Sequence, residues 1–279
     1  MKVISRKNEP YYYDSAKRQI PMLEEFLELF RYRELLAQFV ARNIKIRYKR
    51  SVLGVAWTML NPLFMMVIMT LVFSKLFRFT LDYYPVYVLT GFIFWNFFSQ
   101  TTTLAMNELV WGGNLLTRIY MPRAIFGVTA LGTGLVNIFL ALVPLLLIML
   151  VTGAPLRPAL FFLPVSILLL AMFTLGVGLF LSMLAVYFVD ILEIYQVVLL
   201  ALMYLSPVIY PIQIIPEGYV WVFKMNPIYY LLEVFRSPIY YGCLPDFHSL
   251  LFAMLISLGA LLFGWWSFAR KADDFAYRI

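Results

Sequence analysis

Apolar residues fill most of this 279-residue chain in long blocks, broken by short polar stretches. Six blocks, at about 56–77, 84–105, 124–151, 160–187, 191–211 and 248–269, approach or exceed the ~20 residues that span ~30 Å of hydrocarbon. They predict an all-α integral membrane protein with six transmembrane helices, occupying a domain over 51–279. The stretch before them has a different pattern. Met22, Leu23, Phe26, Leu27, Phe30, Leu36, Phe39 and Val40 alternate with Glu24, Glu25, Glu28, Arg31, Glu34, Gln38 and Arg42 at a helical period, giving two faces. The charges forbid a span, so 21–50 is predicted to form an amphipathic helix lying in the cytoplasmic interface, followed by a basic connector. Residues 1–20, polar and of mixed charge, are expected to be a cytoplasmic tail.

The segment 212–247, between the last two blocks, is apolar and aromatic, yet Pro216, Pro227 and Pro238 divide it into pieces too short to cross a bilayer. Two short helices near 216–224 and 227–240 are predicted, forming an external hairpin that dips into the outer interface or plugs the mouth of a pathway. An aromatic anchor belt is the simpler reading of the same residues. Within the spans, Thr174, Gly178 and Ser182, and more weakly Ala130 and Gly134, make small-residue faces suited to close helix packing. Pro62 and Pro144 are expected to kink their helices.

Charge then orients these elements. Only 13% of residues are charged, against about 25% in soluble domains, and the mean hydropathy is +0.83. The net charge of +7 is not spread over a soluble face, because 12 of the 22 Lys and Arg residues precede Ala56. This is the positive-inside pattern of a multi-pass protein, and it excludes a nucleic-acid partner in favour of membrane lipids. Six spans place both termini in the cytoplasm and leave only Lys75, Arg78, Arg157, Lys224 and Arg236 outside. The change from charge to hydrocarbon is sharpest in RNIKIRYKRSVLGVAWTMLNPL, Arg42 to Leu63. Cys243 is the sole cysteine, so no intrachain disulfide forms, and no cleavable signal peptide is evident.

Candidate chemistry is sparse. No ionisable residue lies near the middle of a predicted span, which argues against proton- or ion-coupled transport. The lone His248 cannot build a metal site, so neither metal-ligating nor catalytic residues are predicted. No Gly-Lys pair occurs, so the phosphate-cradling loop of an ATPase is missing. No cofactor is expected on this chain. Uphill transport would draw its energy from another chain, docked at the interfacial helix or the loop 106–123. Aromatic residues make up 18% of the chain. Their rings can stack on sugar faces, although core packing and interface anchoring use the same residue types. Trp57, Phe64, Phe94, Trp95, Phe98, Tyr195, Tyr204 and Tyr210 are candidate linings of a glycan path, with Asn96, Gln100 and Thr101–Thr103 adding uncharged polar groups.

The stretch at 42–63 resembles the signature of permease subunits of ABC-type polysaccharide and polyol-phosphate exporters. The residues that carry it are Lys45, Arg47 and Tyr48, then Ser51, Leu53, Gly54, Trp57, Leu60 and Pro62. NLLTRIYMPR (Asn114 to Arg123) looks like the family's coupling segment, and LSPVIYP (Leu205 to Pro211) and NPIYYLLEVFR (Asn226 to Arg236) resemble its motifs before and within the external hairpin. Val189-Asp190 departs from the family's usual Arg-Asp. The resemblance covers about 24–275.

It implies a half-transporter in the bacterial inner membrane that pairs with a second copy of itself and with two ABC ATPase subunits, which hold ATP and Mg. The cargo would be a lipid-linked polysaccharide: O-antigen, capsule or teichoic acid. Asn114, Thr117, Arg118, Tyr120, Pro122 and Arg123 would then couple to the ATPase. Arg42, Lys45, Arg47, Lys49 and Arg50 would receive the anionic lipid headgroup, since Arg and Lys bind pyrophosphate well. Asn226, Pro227 and Arg236 would belong to an external gate. A small-molecule exporter permease, a membrane-bound lipid-sugar enzyme and a non-transporting scaffold are the alternatives.

Overall fold

A computed structural model describes residues 28–76, 81–112, 121–272 and 275. Among the described residues every regular element is helical. In chain order these are α1 (Arg33–Arg47), α2 (Ala56–Thr70), α3 (Tyr84–Gly112), α4 (Ile125–Thr152), α5 (Leu163–Tyr187), α6 (Ile191–Tyr204), α7 (Val220–Met225), α8 (Pro227–Arg236) and α9 (Phe247–Lys271). A π-helical segment, Leu71–Leu76, continues α2, and another, Ser237–Tyr241, follows α8.

Local chemistry sets many of the boundaries. Gly153 takes a φ of +72° and closes α4 with a left-handed cap, where the Ala154 N–H donates to the Met149 carbonyl at 2.9 Å. Asn226 and Asp246 start α8 and α9 by accepting the N–H groups of Ile228 and His248. Pro227 adds the fixed φ of a first helical residue.

Four segments are long and apolar enough to cross a membrane: Ala56–Phe73, Ile125–Thr152, Pro158–Tyr187 and Phe247–Lys271. The chain is therefore a multi-pass helical membrane protein. Of the other two blocks, α3 has the length, with 29 residues, but Asn96, Ser99, Gln100 and Thr101–Thr103 lower its hydropathy. It also continues to Gly112, beyond residue 105 where the second span was expected to end. Helix α6 has only 14 residues, about 21 Å of rise, and the chain expected to extend it to 211 turns instead. Pro207 disfavours helical backbone at Ser206, and the helix stops at Tyr204.

Helix α3 is the centre of the bundle and is buried on nearly every side from Tyr84 to Leu109. Small residues let its neighbours approach. Gly134 of α4 lies over Thr101, and a Cβ at Gly178 of α5 would sit 3.5 Å from that of Ala105. The tightest crossing pairs α5 with α9, where Gly176 and Gly264 bring the two backbones into direct contact. At one end of α3 a separate apolar cluster forms around Leu109, Met121, Phe126 and Phe268. Helix α1 does not lie alone at the membrane surface. It rests on this cluster, with the Phe39 ring stacked 6.4 Å from Phe126. The other end of α3 meets the hairpin 212–247, whose α8 is buried among α3, α5 and α9.

Candidate functional site

The basic corner between α1 and α2 is built by its own residues. Arg50 and Gly54 both adopt positive φ, +65° and +51°, reversing the chain between the two helices. Ser51 Oγ accepts the Gly54 N–H at 3.1 Å, and the hydroxyls of Tyr48 and Thr58 bond across the turn. The Tyr, Ser and Gly of the 45–62 signature are thus the residues that make this bend. Arg42, Lys45, Arg47, Lys49 and Arg50 all project from it exposed. Arg42 lies 4.9 Å over the Phe39 ring, and Arg47 donates from Nη2 to Gln100 Oε1 of α3 at 2.8 Å.

Beside this corner a cavity of about 680 Å³ opens between α1, α2, α3, α4 and α6. Helix α3 supplies Asn96, Ser99, Gln100, Thr103 and Asn107, a stripe at three- and four-residue spacing along one face. Helix α4 supplies Thr133 and Asn137, one turn apart, while Asn43, Asn61 and Gln196 come from α1, α2 and α6. Along α3 the lining runs from Ile93 to Asn107, roughly 20 Å of helix. Asn43 Nδ2 donates to the Glu108 carboxyl and, at 3.4 Å, to Thr133 Oγ1, tying α1 to α3 and α4. Thr101 also lines the cavity, and its buried Oγ1 has no hydrogen-bond partner.

Of the candidate path aromatics, Trp57 lines this cavity. Phe94 packs on Phe235 and Phe98 on Phe173, at 5.8 and 5.6 Å, and Trp95 is buried beside Phe98. The Tyr195 hydroxyl bonds Thr102 at 2.7 Å inside the core. Phe64 and Tyr204 are exposed, and the Tyr210 hydroxyl donates to the Tyr204 carbonyl. Asn114, Thr117, Arg118 and Tyr120 lie outside the described residues. Pro122 is buried and its carbonyl starts α4 by accepting from Ile125, with half-buried Arg123 beside it.

At the hairpin end, Arg236 is 1% exposed and holds the chain that leaves α6. It donates to the carbonyls of Pro207 (2.9 Å) and Val208 (3.0 Å) and to the Tyr87 hydroxyl (2.8 Å), with its guanidinium 3.8 Å over the Tyr87 ring. The Tyr84 and Tyr87 hydroxyls donate to the carbonyls of Ile209 (2.9 Å) and Tyr210 (3.0 Å). Four successive carbonyls that the broken helix leaves open are thereby satisfied. Asn226 completes the clamp through Nδ2, bonding Ser206 Oγ at 2.8 Å and the Leu205 carbonyl at 3.2 Å. The LSPVIYP and NPIYYLLEVFR motifs therefore bind one another. Gly91 of α3 leaves room for this, since a Cβ there would meet the Val208 carbonyl.

A bundle of apolar helices around a polar cavity, with basic residues at its mouth, is the plan of a membrane transport subunit. Residues 34–240 match the family model described as ABC-2 type transporter, and the chain belongs to that family. It is 28% identical over 261 residues to the O-antigen export system permease protein RfbA of Myxococcus xanthus, covering 92% of this chain and all of that protein. A relative of the same name from Klebsiella pneumoniae is 25% identical over 207 residues, covering 73% of this chain and 79% of the relative.

Proposed function

We propose that this chain is the transmembrane permease of an ATP-driven exporter that carries a lipid-linked O-antigen across the bacterial inner membrane. The observation that carries the reading is the full-length similarity to proteins named O-antigen export permeases, joined to a polar cavity whose mouth is the basic corner at 42–50. In this reading both termini and the basic corner face the cytoplasm. The six blocks cross the bilayer, α6 completing its crossing with the clamped 205–211 segment, and the hairpin lies on the outer side as a gate. Two ATPase subunits, holding ATP and Mg, dock against 114–123. The exposed faces of α2 (Phe64, Ile68, Leu71) and α6 (Ile194, Val197, Leu200) suit a second copy of the chain across the pathway.

Deleting the gene in a strain that makes O-antigen tests this. Surface O-antigen should disappear while its lipid-linked form accumulates in the inner membrane, and the intact chain should restore export. Undiminished surface O-antigen in the deletion strain would refute the function.

A further inference from the structure

The carboxamides of this protein are concentrated in one place. Five of its eight asparagines and two of its five glutamines line one cavity, beside the basic corner. Among the described residues the remaining asparagine, Asn226, is accounted for as a helix cap. The side chains of Asn61, Asn96, Asn107, Asn137 and Gln196 make no hydrogen bond within the described residues. These carboxamides are exposed or half-buried toward the cavity, so their donors and acceptors are open to whatever occupies it.

The charge of the lining is equally selective. Arg47 is the single charged residue of the lining and sits at the mouth, where one of its N–H groups donates to Gln100. The carboxyl of Glu108 lies just behind Asn43. An anionic group held at the mouth could reach Arg47, but one further in would find no cation in the lining and would approach a carboxyl. A carboxamide offers a donor and an acceptor side by side without charge, which matches adjacent hydroxyls of a sugar ring. Trp57 adds an aromatic face at the mouth. At about 680 Å³ the cavity falls within the ~300–1,000 Å³ of small-ligand sites, room for a few sugar rings and not for a polymer.

We infer that this cavity is a recognition site for uncharged, hydroxyl-rich sugars: the rings nearest the lipid anchor of the exported glycan, read while the basic corner holds the phosphate. The inference rests on the proposed export function and adds to it a substrate class, neutral sugars over uronate-bearing ones. Asn96 and Asn137, on facing helices, are its specificity-determining residues.

Saturation-transfer NMR on the full-length permease in lipid nanodiscs tests this, with mannobiose as the neutral probe and a uronate disaccharide of equal size as the anionic one. Mannobiose should bind saturably, insensitive to added salt because no charge is involved, and the uronate should bind more weakly. Asn96→Leu and Asn137→Leu should each weaken mannobiose binding roughly tenfold, the loss of about one hydrogen bond. Asn96→Gln and Asn137→Gln, which keep the amide, should lose less, and equal elution of all variants on size exclusion excludes misfolding. Absence of saturable mannobiose binding, unchanged binding in the Leu variants, or equal or tighter uronate binding would overturn the inference. If the gene-deletion strain nevertheless loses surface O-antigen, only this inference falls. Retained surface O-antigen would instead overturn the export reading beneath it.

Discussion

Truncating Arg236 tests how the hairpin is held to the bundle. In Arg236→Ala the carbonyl of Val208 loses its donor and that of Pro207 loses one of two, because the Tyr87 hydroxyl still lies 3.2 Å from Pro207 and 3.0 Å from Tyr210. The buried Val208 carbonyl left unpaired costs about 1–3 kcal/mol, and Pro207 exchanges a charged donor for the Tyr87 hydroxyl alone, so the loss is roughly 2.5 kcal/mol. The stacking of the guanidinium on the Tyr87 ring is also lost. Summing the bonds themselves would overshoot, because removing the arginine also removes the cost of burying its charge. At about 2 °C per kcal/mol for a chain of this size, the thermal midpoint of the detergent-solubilised protein should fall by roughly 5 °C. Arg236→Lys should recover less than half of that, since one ammonium cannot reproduce a fork aimed at two carbonyls. A double-mutant cycle with Tyr87→Phe should show coupling above about 0.5 kcal/mol. A midpoint within about 2 °C of the parent for Arg236→Ala would refute the clamp.

Other perturbations address separate parts of the molecule. Gly176→Ala and Gly264→Ala push a methyl group into backbone at the α5–α9 crossing and should sharply lower the yield of folded protein in membranes. Gly259→Ala, with open space around it, should be neutral or stabilising by up to ~1 kcal/mol; equal behaviour of the three would contradict the crossing. Asn226→Ala removes the cap of α8 and both bonds to 205–206, with an expected loss of about 1–2 kcal/mol in thermal stability. Arg118→Glu with Arg123→Glu should abolish co-purification with the ATPase subunit, and retained complex would remove these residues from the docking surface. Arg47→Ala with Lys49→Ala should raise the lipid-linked substrate concentration needed to stimulate ATP hydrolysis by at least about tenfold, as for a lost charge-assisted contact.

What was legible in the sequence was whatever is local. Hydropathy blocks, proline breaks and the charge step at 42–63 are properties of neighbouring residues, and they mark the four long apolar segments and the basic corner. The cavity was half visible. Asn96, Gln100 and Thr101–Thr103 share one helix, but Asn43, Asn61, Asn137 and Gln196 join them only through tertiary packing. The regular spacing of Asn96, Gln100, Thr103 and Asn107 was the available signal, a polar stripe on an otherwise apolar helix. Arg236 reads in sequence as one more outer-side charge, because nothing local shows that the carbonyls of a helix broken thirty residues earlier need a donor. The surroundings of the aromatic residues are equally non-local. Phe94, Trp95, Phe98 and Tyr195 fill the core, as large apolar side chains do wherever packing density permits. The Gly176–Gly264 contact is likewise invisible along the chain, since each glycine has meaning only opposite the other.

Movement of a lipid-linked glycan by this chain can be followed in inverted membrane vesicles. Vesicles carrying the permease and its ATPase partner, loaded from outside with lipid-linked O-antigen, should render the glycan resistant to added glycosidase only when ATP and Mg are supplied. Omitting the permease should leave it fully digestible. Equal protection without ATP or without this chain, or ATP hydrolysis with no glycan protected, would contradict the account.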